Sequence, residues 1–210
     1  MAIKPILFNS EMVRAILDGR KDATRKIVKG FIPDDAVWRY TAFTPKGYIS
    51  CRGTFADGYG EKFFKLPCEP GDILYVRETW KKALNGYYYY EAWQRNDIAD
   101  VTKWKPSIRM PKEAARIWLK VTNVRVERLQ EITDEQAKRE GIQYDECPTG
   151  FTWKQETDMH NCYTTPIGAM QALWNSTIKK SDLDGYGWDA NPWVWTIEFE
   201  RCEKPEEISG

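Results

Sequence analysis

Residues 19–26, GRKDATRK, place a lysine and a threonine three positions apart among further cations. The hydroxyl of Thr24 becomes a nucleophile only if a base removes its proton, and Lys21 can be that base only if burial or a neighbouring cation lowers its pKa. Arg25 or backbone N–H groups after Gly19 could then stabilise negative charge on an acyl oxygen. The same cations could instead hold a phosphate, and the residues leave both interpretations open. The candidate ligand-binding cations here are Arg20, Arg25 and Lys26.

A second candidate site follows the segment PGDILYVRETW, which predicts a turn and then a short strand ending near Arg77, Glu78 and Trp80. An aromatic ring can stack on a nucleobase, and a carboxylate can accept a hydrogen bond from an exocyclic amine. We therefore favour a functional role for Glu78. Alternatively, Arg77 and Glu78 form an ordinary ion pair and Trp80 belongs to the core. We favour the core for Trp80, because ten tryptophans cannot all serve function.

Residues 81–112 mix basic and aromatic side chains, as surfaces that bind single-stranded nucleic acid do. The alternative is a solvated hairpin with a small core of its own. The residues concerned are Lys81, Lys82, Arg95, Lys103, Lys105 and Arg109, with Trp93, Trp104 and four tyrosines.

The chain of 210 residues has a formal net charge of zero, which hides an asymmetry. Residues 1–130 contain 24 Lys and Arg against 15 Asp and Glu, whereas residues 131–210 contain 7 against 16. The basic part could follow a phosphate backbone, or the two parts could attract each other across the fold.

The five cysteines include no CxxC pair, which predicts reduced thiols in a cytoplasmic protein. Cys147, His160 and Cys162 have a spacing that fits no common zinc finger, so we predict no metal and no cofactor. No apolar run is long enough to span a membrane, and the N-terminus lacks the apolar stretch of a signal peptide.

Several local patterns predict the elements that position these residues. Residues 10–18 form an apolar stripe of helical spacing, with Ser10 as the expected cap and Gly19 as the stop. Residues 114–129 alternate as a strand whose phase slips by one after Thr122–Asn123, as a bulge requires. The later signals are a capping box at Thr133 and Gln136, a helix that starts at Thr165–Pro166, and a last strand WVWTIEFE.

Together these patterns predict an α+β protein with about five to seven mostly antiparallel strands and about three helices. A small, strongly bent β-barrel flanked by the helices is the expected closed arrangement, because closure removes exposed sheet edges.

The order of four segments resembles the ASCH domain, a member of the PUA-like superfamily. The segments are GRKDATR, GDILYVRETW, VTNVRVERLQEITDEQAKREGI and WVWTIEF. The layout is most similar to the longer ASCH-like proteins of phages and prophages. The resemblance covers about 5–29, 70–80, 115–142 and 166–200, which implies one domain over 1–210 with insertions at about 30–69, 81–112 and 143–165.

The resemblance implies a protein that binds RNA, another single-stranded nucleic acid or a modified nucleoside. One bacterial branch hydrolyses N4-acetylcytidine and related acylated cytosines. Its motif falls here on Lys21 as base, Thr24 as nucleophile and Glu140 as the acid or orienting group. Asp22 departs from that motif, which usually has Thr or Ser at this position. Other possibilities are a ribonuclease, as in another branch, or a phage accessory protein that binds a host protein.

Overall fold

The computed structural model describes residues 1–93, 103–144, 150–154 and 162–206. Its strands are β1 (Ile3–Leu7), β2 (Ala23–Ile27), β3 (Val37–Arg39), β4 (Tyr48–Phe55), β5 (Gly58–Lys65), β6 (Ile73–Arg77), β7 (Trp80–Ala83), β8 (Gly86–Tyr89), β9 (Trp118–Arg128), β10 (Gln143–Tyr144), β11 (Phe151–Thr152) and β12 (Trp193–Cys202). Its α-helices are α1 (Ser10–Leu17), α2 (Tyr90–Trp93), α3 (Asp134–Arg139), α4 (Pro166–Thr177) and α5 (Leu183–Tyr186). The predicted mixed α+β class is confirmed, with two single-turn helices, α2 and α5, beyond the three expected. The described residues form twelve strands and not the five to seven expected, because short hairpin strands and edge strands carry little periodic signal.

Five strands form the main sheet, in the order β1-β6-β9-β12-β2. The β1–β6 pairing is parallel, and the other three pairings are antiparallel. Within the described part of the chain β1 and β2 remain edge strands, so the predicted closed barrel is not detected. Part of the 30–69 segment forms a separate antiparallel sheet in the order β3-β4-β5, and β7 pairs with β8.

The predicted slip in strand phase is a β-bulge in β9. Glu198 lies opposite Asn123 and Phe199 lies opposite Val121, so Thr122 has no partner in β12. The extra residue lets the apolar side chains on both sides of the bulge point to the same core. This local prediction is confirmed.

The helix ends follow the predicted signals with one exception. Asn9, not Ser10, caps α1, because its side chain accepts the hydrogen bond from the backbone N–H of Met12. Asparagine and serine are equally good caps, so the sequence allowed either position. The capping box of Thr133 and Gln136 is confirmed by both of its hydrogen bonds.

The two faces of the main sheet pack against different elements. One face packs against α1 and the inner face of the three-stranded sheet, through buried residues such as Ile16, Ile49 and Ile197. A second core joins Val194 of β12 to α3 and α4. In the described part of the chain, no helix is both long enough and apolar enough to cross a membrane.

The insertion at 81–112 forms the β7–β8 hairpin, and its residues 94–102 lie outside the described part of the chain. Trp80, Met110 and Ala114 form a small buried cluster beneath this hairpin, with Tyr87 and Tyr89 packed against it. Part of the aromatic content of the insertion therefore serves its own packing.

Candidate functional site

The turn after α1 and the end of α3 are in direct contact. Gly19 has a φ of 76°, and the backbone N–H groups of Arg20 and Lys21 both donate to the carbonyl of Ala15. Lys21 and Glu140 then form an isolated antiparallel bridge across 119 sequence positions. Their side chains are ion-paired, with 2.7 Å between Lys21 Nζ and Glu140 Oε2. Two of the three residues predicted to act in catalysis therefore lie side by side.

A glycine permits this close approach. Gly141 follows Glu140 with a φ of 103°, and a Cβ atom at this position would lie 2.9 Å from the Cβ atom of Ala15 in α1. Arg20 reinforces the contact, because its NH1 donates to the carbonyl of Gly141 at 2.9 Å. Arg20 also pairs with Asp18 at 3.1 Å, so two protein contacts already engage this predicted ligand-binding cation.

Protein atoms satisfy the Lys21 ammonium completely. The side chain is fully buried, and Nζ donates to the carbonyl of Ala23 at 2.8 Å, to the carbonyl of Glu140 at 3.0 Å and to the Glu140 carboxylate. These three contacts use all three N–H donors of a protonated lysine. Burial lowers the pKa of Lys21 below its ordinary value, although the Glu140 carboxylate opposes the shift.

Arg25 joins the same buried network. Its NH1 donates to Glu140 Oε1 at 3.0 Å, and its NH2 donates to Glu127 Oε1 at 2.6 Å and to Gln136 Oε1 at 3.1 Å. The Thr196 hydroxyl also donates to Glu127 Oε1, at 2.7 Å. The Arg25 side chain is fully buried, so it holds β2, β9, β12 and α3 together instead of presenting a free cation to a ligand.

Sequence analysis missed the partners of Arg25. Gln136 was expected only as a helix cap, whereas its Oε1 also accepts from Arg25. Glu127 was read as part of an alternating strand. Burial opposes ionisation of Glu127, but hydrogen bonds from Thr196 and Arg125 lower the pKa of its carboxyl. The available signal was a carboxylate on a strand predicted to pack against the core. Such a group is partly withdrawn from water and therefore needs a hydrogen-bonding partner.

Thr24 lies on the opposite face of the sheet from Arg25. In the β2–β12 pairing Thr24 is opposite Ile197, and Arg25 is opposite Thr196. Thr24 is 5% exposed, and its hydroxyl makes no side-chain hydrogen bond to any described residue, Lys21 included. The structure therefore brings Lys21 to Glu140 but leaves Thr24 without a contact to either.

Thr24 lines a cleft of about 400 Å³, which we call the Thr24 cleft. Phe8, Asn9 and Met12 line it from the end of β1 and the start of α1, and Lys26 extends along β2 on the same face as Thr24. Ser107 of the 81–112 insertion also lines it. Burial lowers the pKa of Lys26. Arg25 contributes to the lining as well, although its side chain is engaged by Glu127, Gln136 and Glu140. The cleft therefore combines apolar surface, hydroxyl groups and cationic residues, of which Lys26 is partly withdrawn from water.

The second candidate site, at the end of β6, has a different arrangement from the one expected. Glu78 is buried and accepts two hydrogen bonds from Arg116, at 2.9 and 2.8 Å, so the alternative of an Arg77–Glu78 ion pair is wrong. Arg77 instead donates to the carbonyl of Ile108 at 3.2 Å. Trp80 is buried against the hairpin of the insertion.

Glu78 belongs to a second buried network of charges that local patterns did not reveal. Arg116 bridges Glu78 to Glu91 of α2 at 3.1 Å, and Arg14 of α1 contacts Glu91 at 3.2 Å. Burial raises the pKa of Glu78, although Arg116 opposes the shift. This network ties the insertion to the core.

Among the described residues, no group of three or more His, Cys, Asp or Glu side chains is placed to hold a metal ion. Cys147 and His160, considered above for zinc, lie outside the described part of the chain. Cys162 is disulfide-bonded, so the prediction of reduced thiols is wrong for this residue, and its sulfur is not free to bind zinc. Cys51, Cys68 and Cys202 are free, as predicted.

No model of a protein family matches the chain, and neither does any curated protein or any solved structure.

Proposed function

We propose that the protein binds a nucleoside, free or as part of single-stranded RNA, in the Thr24 cleft. The observation that carries this proposal is the position of Thr24, which lines a cavity of ligand size and whose hydroxyl has no side-chain partner among the described residues. Binding sites for small molecules are concave and mostly apolar, with a few convergent polar groups, and occupy about 300–1,000 Å³. A hydroxyl in the wall of a cleft can donate a hydrogen bond to a ligand and accept one from it.

The cleft offers chemistry suited to each part of a nucleoside. Phe8 and Met12 provide apolar surface for a base, the Thr24 hydroxyl can both donate and accept, and Lys26 can hold a carbonyl or a phosphate. A modified cytosine, with a carbonyl beside an amide N–H, presents groups that match these side chains.

The test of binding is titration calorimetry with cytidine, N4-acetylcytidine and cytidine 5′-monophosphate. We expect Thr24→Val, which keeps the shape of the side chain, to weaken binding of the preferred ligand by about tenfold, because one buried hydrogen bond is worth about 1–2 kcal/mol. Thr122→Val at the exposed β9 bulge is the matched control. Failure of all three ligands to bind, or equal affinity in both variants, would contradict the proposal.

A second candidate is hydrolysis of an N4-acyl group, and the burial of Lys21 favours it. A neutral Lys21 amine has a lone pair and one donor fewer, so it could release one of its three acceptors and turn towards Thr24. Thr24 Oγ would then attack the acyl carbon, Lys21 would take the hydroxyl proton, and the C–N bond would break as the amine receives a proton. Water would hydrolyse the resulting ester to acetate and regenerate the hydroxyl.

We expect this activity to require both residues. Thr24→Val and Lys21→Met should each reduce the release of cytidine from N4-acetylcytidine by at least about 100-fold, because each removes a group that takes part in bond making or proton transfer. Chromatography of the products measures the rate. Binding of N4-acetylcytidine without any turnover would exclude hydrolysis and leave the binding proposal intact.

We also propose that the chain is an ASCH-type member of the PUA-like superfamily. The support is the order of its elements: a helix that ends in the GRKDATR turn, the β6 strand, the capped helix α3 and the last strand β12. The proposal includes the barrel of that superfamily, which would require the edge strands of the main sheet to pair with further strands.

A further inference from the structure

The three-stranded sheet β3-β4-β5 presents one face to the core and one to solvent. Alternation divides β5 between them, because Phe64 packs in the core whereas Tyr59, Phe63 and Lys65 lie on the opposite side. We call that opposite side, formed by Val37 and Arg39 of β3, by Tyr48, Ser50, Arg52 and Thr54 of β4 and by Tyr59, Glu61, Phe63 and Lys65 of β5, the outer face. We propose that the outer face binds single-stranded nucleic acid.

Exposed aromatic rings are the first observation. Tyr59 is 74% exposed and Phe63 is 42% exposed, and the two lie four residues apart on one strand. That spacing places them about 13 Å apart along β5. Tyr48 lies diagonally across from Phe63, since Ser50 is the residue directly opposite it. Rings in these positions contribute nothing to the core, and a nucleobase can stack on each.

Cations interleaved with these rings are the second observation. Arg39, Arg52 and Lys65 share the outer face, and its strands carry one carboxylate, Glu61. Glu61 already accepts from Ser50 and lies 3.5 Å from Arg52, so it is partly neutralised. Asp35 adds a second carboxylate at the edge of this face, where it accepts hydrogen bonds from Thr54. Three cations against two carboxylates still favour a polyanion over an acidic or apolar partner surface.

The combination of exposed aromatic rings and cations on the outer face distinguishes nucleic acid from other partners. A docking surface for a protein is depleted in charge at its centre, whereas Arg52 lies opposite Glu61, at the level between Tyr59 and Phe63, and Lys65 lies directly opposite Tyr48. Sheets whose exposed aromatics stack successive bases are a recurrent solution for single-stranded RNA. The inference uses none of the residues of the Thr24 cleft and goes beyond the proposed function, because it concerns a second and separate surface.

Fluorescence anisotropy tests the aromatic contribution, with a labelled uridine oligonucleotide of about 12 nucleotides as the probe. The double variant Tyr59→Ala and Phe63→Ala should weaken binding by at least about tenfold, because each lost stacking contact costs about fivefold or more. Phe43→Ala is the matched control, since this ring is 89% exposed but lies outside the sheet. Thermal melting verifies that both variants fold. Equal affinity in the double variant and the control would overturn the inference.

Lys65 and Lys62 provide a second matched pair on the same strand. Lys65 lies on the outer face, whereas Lys62 lies on the other side, over the ring of Phe55 and beside Asp57. Lys65→Ala should reduce the slope of log affinity against log salt by about 0.7, which corresponds to one lost phosphate contact. Lys62→Ala should leave the slope unchanged. An equal effect of both variants, or a slope near zero in the unmodified protein, would overturn the inference.

Failure of this inference is separable from failure of the proposed function. Thr24→Val should weaken binding of a mononucleoside and leave the affinity of the uridine oligonucleotide nearly unchanged. The outer-face variants should do the reverse. Loss of oligonucleotide binding only in Thr24→Val would assign the nucleic acid to the cleft and overturn the outer-face proposal.

Discussion

Replacing Glu140 with alanine should lower the free energy of unfolding by about 3–5 kcal/mol, because it leaves two fully buried cations without their shared carboxylate. Lys21 would keep only its two carbonyl acceptors, and Arg25 would keep Glu127 and Gln136. Removing one member of a buried pair costs more than the pair contributes, since the remaining charge stays out of water. Urea unfolding followed by circular dichroism measures the change.

Two further variants test whether unpaired buried charge causes this loss of stability. Glu200→Ala breaks the exposed pair with Lys120 and should change the free energy of unfolding by less than about 1 kcal/mol. Lys21→Met added to Glu140→Ala should recover part of the lost stability, because it removes one of the stranded charges. A loss below about 1 kcal/mol in Glu140→Ala would mean that water reaches Lys21 and Arg25, contrary to their burial.

Replacing Arg116 with methionine should have an effect of similar size, about 3–5 kcal/mol near neutral pH, because it leaves Glu78 and Glu91 facing each other without the cation that bridges them. Each of these carboxylates is only 2% exposed. Arg201→Met on β12, an exposed site, is the matched control and should have little effect. Comparable stability in the two variants would contradict the prediction.

The loss of stability in Arg116→Met should depend on pH. Burial raises the pKa of Glu78, so the folded state binds its proton more tightly than the unfolded state, and stability falls as pH rises from about 4.5 through the folded pKa. Arg116 opposes the shift, and its removal raises this pKa further. The deficit of Arg116→Met should therefore shrink as pH falls towards about 4.5 and grow towards neutrality. A deficit independent of pH would show that lost packing, not stranded charge, causes it.

Contacts between near neighbours in sequence account for the features that were predicted correctly. The capping box at Thr133 and Gln136, the stop at Gly19 and the bulge at Thr122 each depend on residues a few positions away, so their patterns are legible in the linear chain. The exchange of Asn9 for Ser10 as the cap of α1 shows the limit of such patterns, because two adjacent residues offered the same chemistry.

Sheet order and register determine which of the candidate site residues share a face, which local patterns in the sequence do not show. Pairing β2 with β12 puts Thr24 and Arg25 on opposite faces, so the side chain of the candidate nucleophile does not share the side of the sheet on which Arg25 meets Glu140. The meeting of Lys21 with Glu140 was expected from family resemblance, and periodicity alone did not contain it.

The partners of the buried charges needed the assembled fold. Glu127 reaches Arg25 across 102 positions, and Arg116 reaches Glu78 across 38. Such pairs depend on which strands become neighbours and with what alignment, and the chain settles this only when its elements pack together. Residue types and short-range spacing were therefore enough to find the helices α1, α3 and α4 and the strands β6, β9 and β12, but not the edge strands β1 and β2 of the main sheet. Packing of distant segments determined which of the candidate site residues are enclosed and which face a ligand.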